Sequence, residues 1–128
     1  MEQQYLIDSN IVIDYLAGKL PEKGMGFLNH VVNHTPIVSV ITKIEVLGFP
    51  VNQETQSLLE SFFADSNIIN LTNDIVNKTI EIRKLNKIKT PDAIIAATAL
   101  INTFIIITRN TKDFDAIDGL NLINPYIL

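Results

Sequence analysis

The stretch from Ala93 to Thr108 contains neither a charged residue nor a histidine and is the longest such run in the chain. It is too short to span a bilayer as one helix, and Asn102-Thr103 interrupts it. It is therefore expected to be buried inside a water-soluble fold as two elements. The first, Ala93-Ile94-Ile95-Ala96-Ala97-Thr98-Ala99-Leu100, is small and apolar throughout, as a helix enclosed by its neighbours would be. Thr90 is placed to cap it, and Pro91 suits the first helical position. The second, Thr103 to Thr108 (TFIIIT), reads as a strand. A continuous isoleucine run suits a central parallel strand covered on both faces. Asp92 is the anomaly, a carboxylate at the mouth of a buried helix. The helix dipole and the unpaired first-turn N–H groups stabilise a negative charge there. That accounts for Asp92 unless other carboxylates converge on it.

The elements before this stretch follow an α/β alternation. Gln4 to Ile7 is a short strand ending at Asp8, and Asp8-Ser9-Asn10 is a cap signal for a helix from Ile11 to Ala17. Gly18 ends that helix. Pro21-Glu22 starts another, with Phe27, Leu28, Val31 and Val32 on one stripe and His30, Asn33 and His34 on the other side. Surface placement suits the two histidines better than metal ligation, because no partner ligand accompanies them. Ile37 to Ile41 (IVSVI) is a second strand, and Thr42-Lys43-Ile44-Glu45 matches a capping box for the next helix. Phe49-Pro50 breaks the chain. Asn52 caps a helix to about Ala64, with Leu58, Leu59, Phe62 and Phe63 as its apolar face. Asn67 to Asn70 (NIIN) is a third strand. Thr72 caps a helix in which Ile75, Val76, Thr79, Ile80 and Ile82 face inward. That helix frays into a basic loop, Arg83 to Lys89. After the TFIIIT strand, Leu120 to Ile123 forms a last short strand closed by Asn124-Pro125. No repeat, low-complexity segment or linker is visible. The 128 residues, 47% of them hydrophobic, are read as one domain, 1–128, with a real core.

Three acids, Asp8, Glu45 and Asp113, follow strands. In a parallel sheet the carboxyl ends of the strands share one edge, which is where ligands bind in open α/β sheets. A helix running antiparallel to the sheet begins at that same edge, so Asp92 can join them. Each acid also has a plainer explanation: cap for Asp8, capping box for Glu45, helix dipole for Asp92, acidic loop for Asp113 beside Asp115 and Asp118. Four carboxylates in one cleft repel, and unpaired they bind protons. One or two hard divalent cations relieve this. With no cysteine in the chain and all-oxygen ligation, Mg²⁺ or Mn²⁺ fits better than zinc or copper. Such ions activate water and neutralise a phosphoryl group, so phosphodiester hydrolysis by a metal-activated water is the matching reaction. Asn10, Ser39, Thr108 and Asn110 are short polar residues at the same strand ends. They are candidates for orienting the carboxylates, or equally caps and turn residues.

Charge distribution bears on the substrate. The chain has a net charge of −4, which taken alone argues against nucleic acid. Yet Arg83, Lys84, Lys87 and Lys89 lie in an acid-free stretch just before Asp92, and Arg109 and Lys112 flank Asn110 beside Asp113. These six cations are candidates for holding a nucleic-acid backbone. Aromatic stacking partners are scarce: Tyr15, Phe49 and Phe114, each also explicable as core. The absence of cysteine fits a reducing compartment. The start Met1-Glu2-Gln3-Gln4 lacks the basic region of a secretory signal. A cytoplasmic protein with no membrane association is the expectation.

Taken together, Asp8-Ser9-Asn10 after a strand, Thr42-Lys43-Ile44-Glu45, Thr90-Pro91-Asp92-Ala93-Ile94-Ile95-Ala96-Ala97-Thr98-Ala99 and Thr108-Arg109-Asn110-Thr111-Lys112-Asp113-Phe114 resemble a PIN-domain ribonuclease. Length and motif order are similar to the VapC-type toxins of bacterial toxin–antitoxin modules. The likeness covers nearly the whole chain, and four motifs in order are far more specific than any one. The resemblance implies a three-layer α/β/α sandwich with a central, mainly parallel sheet of four to five strands. It implies Mg²⁺ or Mn²⁺ held by Asp8, Glu45, Asp92 and Asp113, with catalysis by the same acids. It also implies endonucleolytic cleavage of RNA, homodimerisation, and inhibition by a cognate antitoxin. One position departs from the pattern: many relatives have an acid where Asn110 stands, which leaves open whether one metal ion binds or two. Two other classes compete. A non-catalytic PIN-like module would bind RNA or protein without binding metal. A receiver-like phosphoacceptor domain would want an acid pair near the first strand, an acceptor aspartate after a middle strand and a strand-end lysine, but only Asp8 lies at the first strand end and Ile37–Ile41 is followed by Thr42 and Glu45.

Overall fold

A computed structural model describes residues 3–128; the Met1-Glu2 pair, read above for the missing basic leader, lies outside the described residues. Five short strands make one fully parallel sheet: β1 (Tyr5–Ile7), β2 (Ile37–Ser39), β3 (Asn67–Ile69), β4 (Ile105–Ile107) and β5 (Leu122–Ile123). The order across the sheet is β3-β2-β1-β4-β5, so β1 takes the centre between β2 and β4. Register places Leu6 beside Ile106 and Ile7 beside Ile107. Successive strand residues face opposite sides, and the core divides accordingly. Leu6, Ile37 and Ile106 pack on one face with Ile75, Ile82 and the Ala93–Ala97 segment. Ile7, Val38 and Ile107 pack on the other with Ile11, Leu28, Phe62 and Phe63. This is the expected three-layer sandwich, with both faces of the isoleucine strand covered.

One helical layer consists of α1 (Ser9–Leu16), α2 (Glu22–Asn33), α3 (Val40–Leu47) and α4 (Gln53–Ala64); the other is α5 (Asn73–Leu85) and α6 (Thr90–Asn102). Helix α6 is buried at every position from Ala93 to Ala99. Its alanines let α5 and the sheet approach closely, and its isoleucines each contribute about 1.5–3 kcal/mol on burial. On the opposite layer, a Cβ on Gly24 of α2 would collide with the Pro125 carbonyl oxygen. Only glycine lets the carboxyl-terminal segment lie against α2. Among the described residues no helix is long and apolar enough to cross a membrane.

Several expected boundaries shift. The IVSVI strand stops at Ser39, whose hydroxyl caps α3 by accepting the Ile41 N–H at 3.1 Å. The capping box on Thr42 is therefore not formed, and Glu45 lies in the second turn of the helix rather than the first. The TFIIIT strand contracts to Ile105–Ile107, because Phe104 N–H still bonds the Ala99 carbonyl at the end of α6. Thr90 is inside α6: Ala93 N–H bonds the Lys89 carbonyl at 2.9 Å, and no side chain caps the helix. Arg83 and Lys84 belong to the last turn of α5, so the basic loop proper is Asn86–Lys89. Leu58 and Ile80, expected inward, are about half exposed.

Candidate active site at the carboxyl edge of the sheet

The first strand delivers Asp8 to the carboxyl edge and the chain turns directly into α1. Asp8 caps that helix and is only 5% exposed. Its Oδ1 accepts the Ser9 N–H at 2.9 Å. Its Oδ2 accepts from Asn10 Nδ2 at 3.2 Å and from the buried Thr108 hydroxyl at 2.8 Å. Each carboxylate oxygen can accept about two hydrogen bonds. Oδ2 is thus filled by protein donors, and Oδ1 keeps one acceptor position for something else. Burial pushes the Asp8 carboxyl above its usual range, against the three hydrogen bonds, and Asp113 adds to the rise.

Glu45 reaches the same place from α3. Its Oε1 accepts from the Ser9 hydroxyl at 2.9 Å, and that hydroxyl also lies 3.3 Å from buried Thr42 Oγ1. Ser9 thus links the two acids by touching Asp8 through its backbone and Glu45 through its side chain. Asp92 enters in the first turn of α6. Its carboxyl is pushed up to about 6, first by burial and then by the charges of Asp8, Asp113 and Glu45, with Lys89 opposing. The structure therefore gathers all four acids named from sequence into one electrostatic neighbourhood. They come from four separate segments.

Among the described residues no three such groups stand close enough to chelate an ion as they are placed. The two observations are compatible, since repulsion acts over several ångströms while Mg²⁺ ligation needs about 2 Å. The donor set fits a hard divalent cation: all oxygen, one half-open buried carboxylate, and an Asp92 that burial and neighbouring acids make costly to ionise. Asp8, Asp92, Asp113 and Glu45 are the groups that could hold it.

The supporting residues divide. Asn10 and Thr108 bond Asp8 directly. Thr108 Oγ1 also accepts the Asn110 N–H at 3.1 Å, and Asn10 Oδ1 accepts the Arg109 N–H at 3.3 Å, so both fasten the loop after β4 to Asp8. Ser39 is a cap, and among the described residues its hydroxyl makes no hydrogen bond to an acid of the cluster. Asn110 contributes its backbone to this network; its side chain is at the surface. Arg109 is diverted from the role expected of it. Its guanidinium pairs with Asp14 Oδ2 at 3.1 Å and lies over the Tyr126 ring, while Tyr126 Oη donates to the same Asp14 oxygen at 2.6 Å. Phe114 is 1% exposed and belongs to the core, which removes it from the stacking candidates. Tyr15 Oη is engaged with Asn29, and Phe49 is 66% exposed. His30 and His34 pack against each other with tilted rings at the far edge of the sheet, beside Gln4 and Thr103.

Sequence reasoning missed Ser9, Thr42 and Asp14. Asp14 carried a signal: an acid in a helix whose buried positions are otherwise Ile11 and Val12. Ser9 and Thr42 carried none, because their significance lies in a contact across 33 residues.

A five-stranded parallel α/β/α domain with four acids converging at its carboxyl edge defines a class, that of the PIN domains. The PIN-domain family model matches residues 5–120, so the chain belongs to that family. Among solved structures, a toxin–antitoxin complex from Klebsiella pneumoniae contains a chain 32% identical to this one. The TM-score is 0.75, and the match covers 96% of this chain and 98% of that one. The fold is shared with VapBC2 from Rickettsia felis bound to a promoter DNA fragment (TM-score 0.81, 23% identity, 95% and 98% covered). It is shared also with DNA-bound VapBC from Salmonella typhimurium (TM-score 0.83, 19% identity, 97% and 99% covered). No curated protein matches at a significant level.

Proposed function

We propose that the protein is a divalent-metal-dependent endoribonuclease, a single nuclease domain spanning residues 1–128. In this reading it is the toxin of a type II toxin–antitoxin pair, working in the cytoplasm as a homodimer held in check by a cognate antitoxin. One observation carries the nuclease reading: three acids from three other segments lie close enough to add to the effect of burial on the Asp92 carboxyl, which is raised to about 6. Negative charge is in excess where a cation and a phosphodiester would meet. Mg²⁺ or Mn²⁺, when bound, supplies Lewis acidity to a phosphoryl oxygen and a lowered pKa for water.

The chain's own residues prepare that chemistry. Asn10 and Thr108 occupy Asp8 Oδ2 and so fix the rotamer that leaves Oδ1 open. Ser9 holds Glu45 toward Asp8. The N-terminus of α6 favours the ionised form of Asp92 against its neighbours. Lys87, Lys89, Lys112, Arg83 and Lys84 attract the phosphate backbone, and Arg109 instead fastens the loop that carries Asp113. No serine, cysteine or histidine nucleophile is needed, because water attacks the phosphorus and the sugar oxygen leaves. The antitoxin and toxin assignments are supported by relatives that are themselves toxin–antitoxin complexes.

The test is cleavage of labelled single-stranded RNA by the purified chain, free of partner, with Mg²⁺ or with EDTA. Asp8→Asn and Asp92→Asn should each abolish the Mg²⁺-dependent products while circular dichroism stays unchanged. Undiminished cleavage by both variants would falsify the assignment. An adjacent reading frame encoding a short DNA-binding protein is the observation that tests the toxin setting.

A further inference from the structure

Beside the acids lies a cleft of about 690 Å³ between the α5–α6 loop and the segment after β4. That volume is in the range of small-molecule sites, about 300–1,000 Å³. Asp92 and Asp113 are among the residues that line it. Arg83, Lys87, Lys89 and Lys112 stand around it, four cations against two acids in a chain whose net charge is −4. Among the described residues none of the four makes an ion pair; the two present are Lys78–Glu81 and Arg109–Asp14. Four unpaired cations in one cleft of an acidic protein call for an anion from outside.

The rest of the lining is of another kind. Ile88, Ala116 and Ile117 give it an apolar wall, and Asn86 adds an amide. A phosphate needs no such wall, whereas a nucleobase does. The loop is also held in shape. Asn86 N–H and Nδ2 both donate to the Ile82 carbonyl at 3.0 Å, and Arg83 Nε donates to the Ile88 carbonyl at 3.4 Å. The side-chain amide is engaged only through Nδ2, so its Oδ1 is left to accept from a ligand.

We infer that this cleft is a nucleotide subsite for single-stranded RNA, seating the residue next to the scissile phosphodiester. Its base packs against Ile88, Ala116 and Ile117 within reach of Asn86 Oδ1, and its flanking phosphates meet Lys87, Lys89 and Lys112. The substrate is single-stranded because a base enters a side pocket only when unstacked and unpaired. The subsite rests on the nuclease reading for its position beside the cut, but its binding is measurable without cleavage.

The experiment is fluorescence anisotropy of labelled oligoribonucleotides of each base, titrated with the wild-type chain in EDTA over a range of salt. Each phosphate contact contributes about 0.7 to the log–log salt slope for a single strand. Lys87→Gln and Lys112→Gln should each reduce the slope by about 0.7 and weaken all four sequences alike. Asn86→Ala should level the preference among bases and leave the slope unchanged. Ala116→Leu, at an exposed position, should weaken binding of every base by narrowing the cleft, again without changing the slope. A duplex that binds as tightly as the single strand overturns the inference. So do unchanged slopes in the lysine variants, or unaltered binding in both Asn86→Ala and Ala116→Leu. Those negative results alongside Mg²⁺-dependent cleavage remove the subsite and leave the nuclease. Binding as described, without cleavage under any divalent ion, does the reverse.

Discussion

Replacing Asp92 by asparagine should stabilise the metal-free protein at neutral pH even as it destroys the proposed site. In the folded chain the carboxyl titrates at about 6 instead of 3.8. The folded state therefore binds this proton more tightly than the unfolded state does. The contribution is most favourable below pH 3.8, is lost as pH rises, and is gone above about 6. At full strength a displacement of that size corresponds to about 3 kcal/mol at neutral pH. Asp92 is only partly buried, so solvent screening reduces this to roughly 1.5 kcal/mol. Asparagine also forfeits the favourable interaction of a charge with the α6 dipole, about 0.5 kcal/mol. The net gain is about 1 kcal/mol, or about 4 °C in Tm for a chain of this size.

The assay is urea and thermal unfolding of both proteins in EDTA, at about pH 5 and about pH 7.5, on either side of the folded value. Asp92→Asn should be the more stable at the higher pH, and the gap should narrow by about half at the lower, which lies between the unfolded and folded values. Saturating Mg²⁺ should invert the order, because a ligand at 100 times its Kd stabilises the native state by about 2.7 kcal/mol, and only the wild type should gain this in full. A variant no more stable than wild type near pH 7.5 in EDTA would refute the claim that burial and the other three acids together burden Asp92.

Three further outcomes follow from the geometry. Thr108→Val removes a donor from Asp8 Oδ2 and the acceptor of the Asn110 N–H. It should cost about 1.5–3 kcal/mol, and, because that bond lowers the Asp8 carboxyl, shift the pH–rate profile of Mg²⁺-dependent cleavage upward. Arg109→Gln leaves Asp14 with Tyr126 alone. It should reduce kcat more than it raises KM, because the guanidinium positions the Asp113 loop and does not bind RNA; a change confined to KM and salt dependence would reinstate backbone binding. Thr103 closes α6 in the left-handed region at φ 59°, where a β-branched residue is strained. Thr103→Asn should therefore stabilise the fold by about 0.5–1 kcal/mol without altering cleavage, as equilibrium unfolding and a cleavage assay would show.

The architecture was legible because it depends on patterns local to the chain. An uncharged isoleucine run can only be a doubly covered strand, and alternation of strand and helix forces a parallel sheet. The acids were legible as positions: each follows a strand or opens a helix, and parallel topology sends those points to one edge. Caps were less so, because Ser39 and Thr42 are both competent. Only the end of pairing between Ser39 and Ile69 decides between them.

What the sequence could not contain is partnership across distance. Whether Arg109 grips RNA or Asp14 depends on a contact spanning 95 residues, and the link from Ser9 to Glu45 spans 36. The free cations of Lys87, Lys89 and Lys112 become a lined cleft only when Ile88, Ala116 and Ile117 close around them. Sequence by itself determined which groups are present and on which edge they arrive, since hydrophobic periodicity and parallel topology fix both. Tertiary structure alone decided which of those charges are already satisfied and which remain to bind something else, because an ion pair or a hydrogen bond is set by spatial neighbours that no local pattern records.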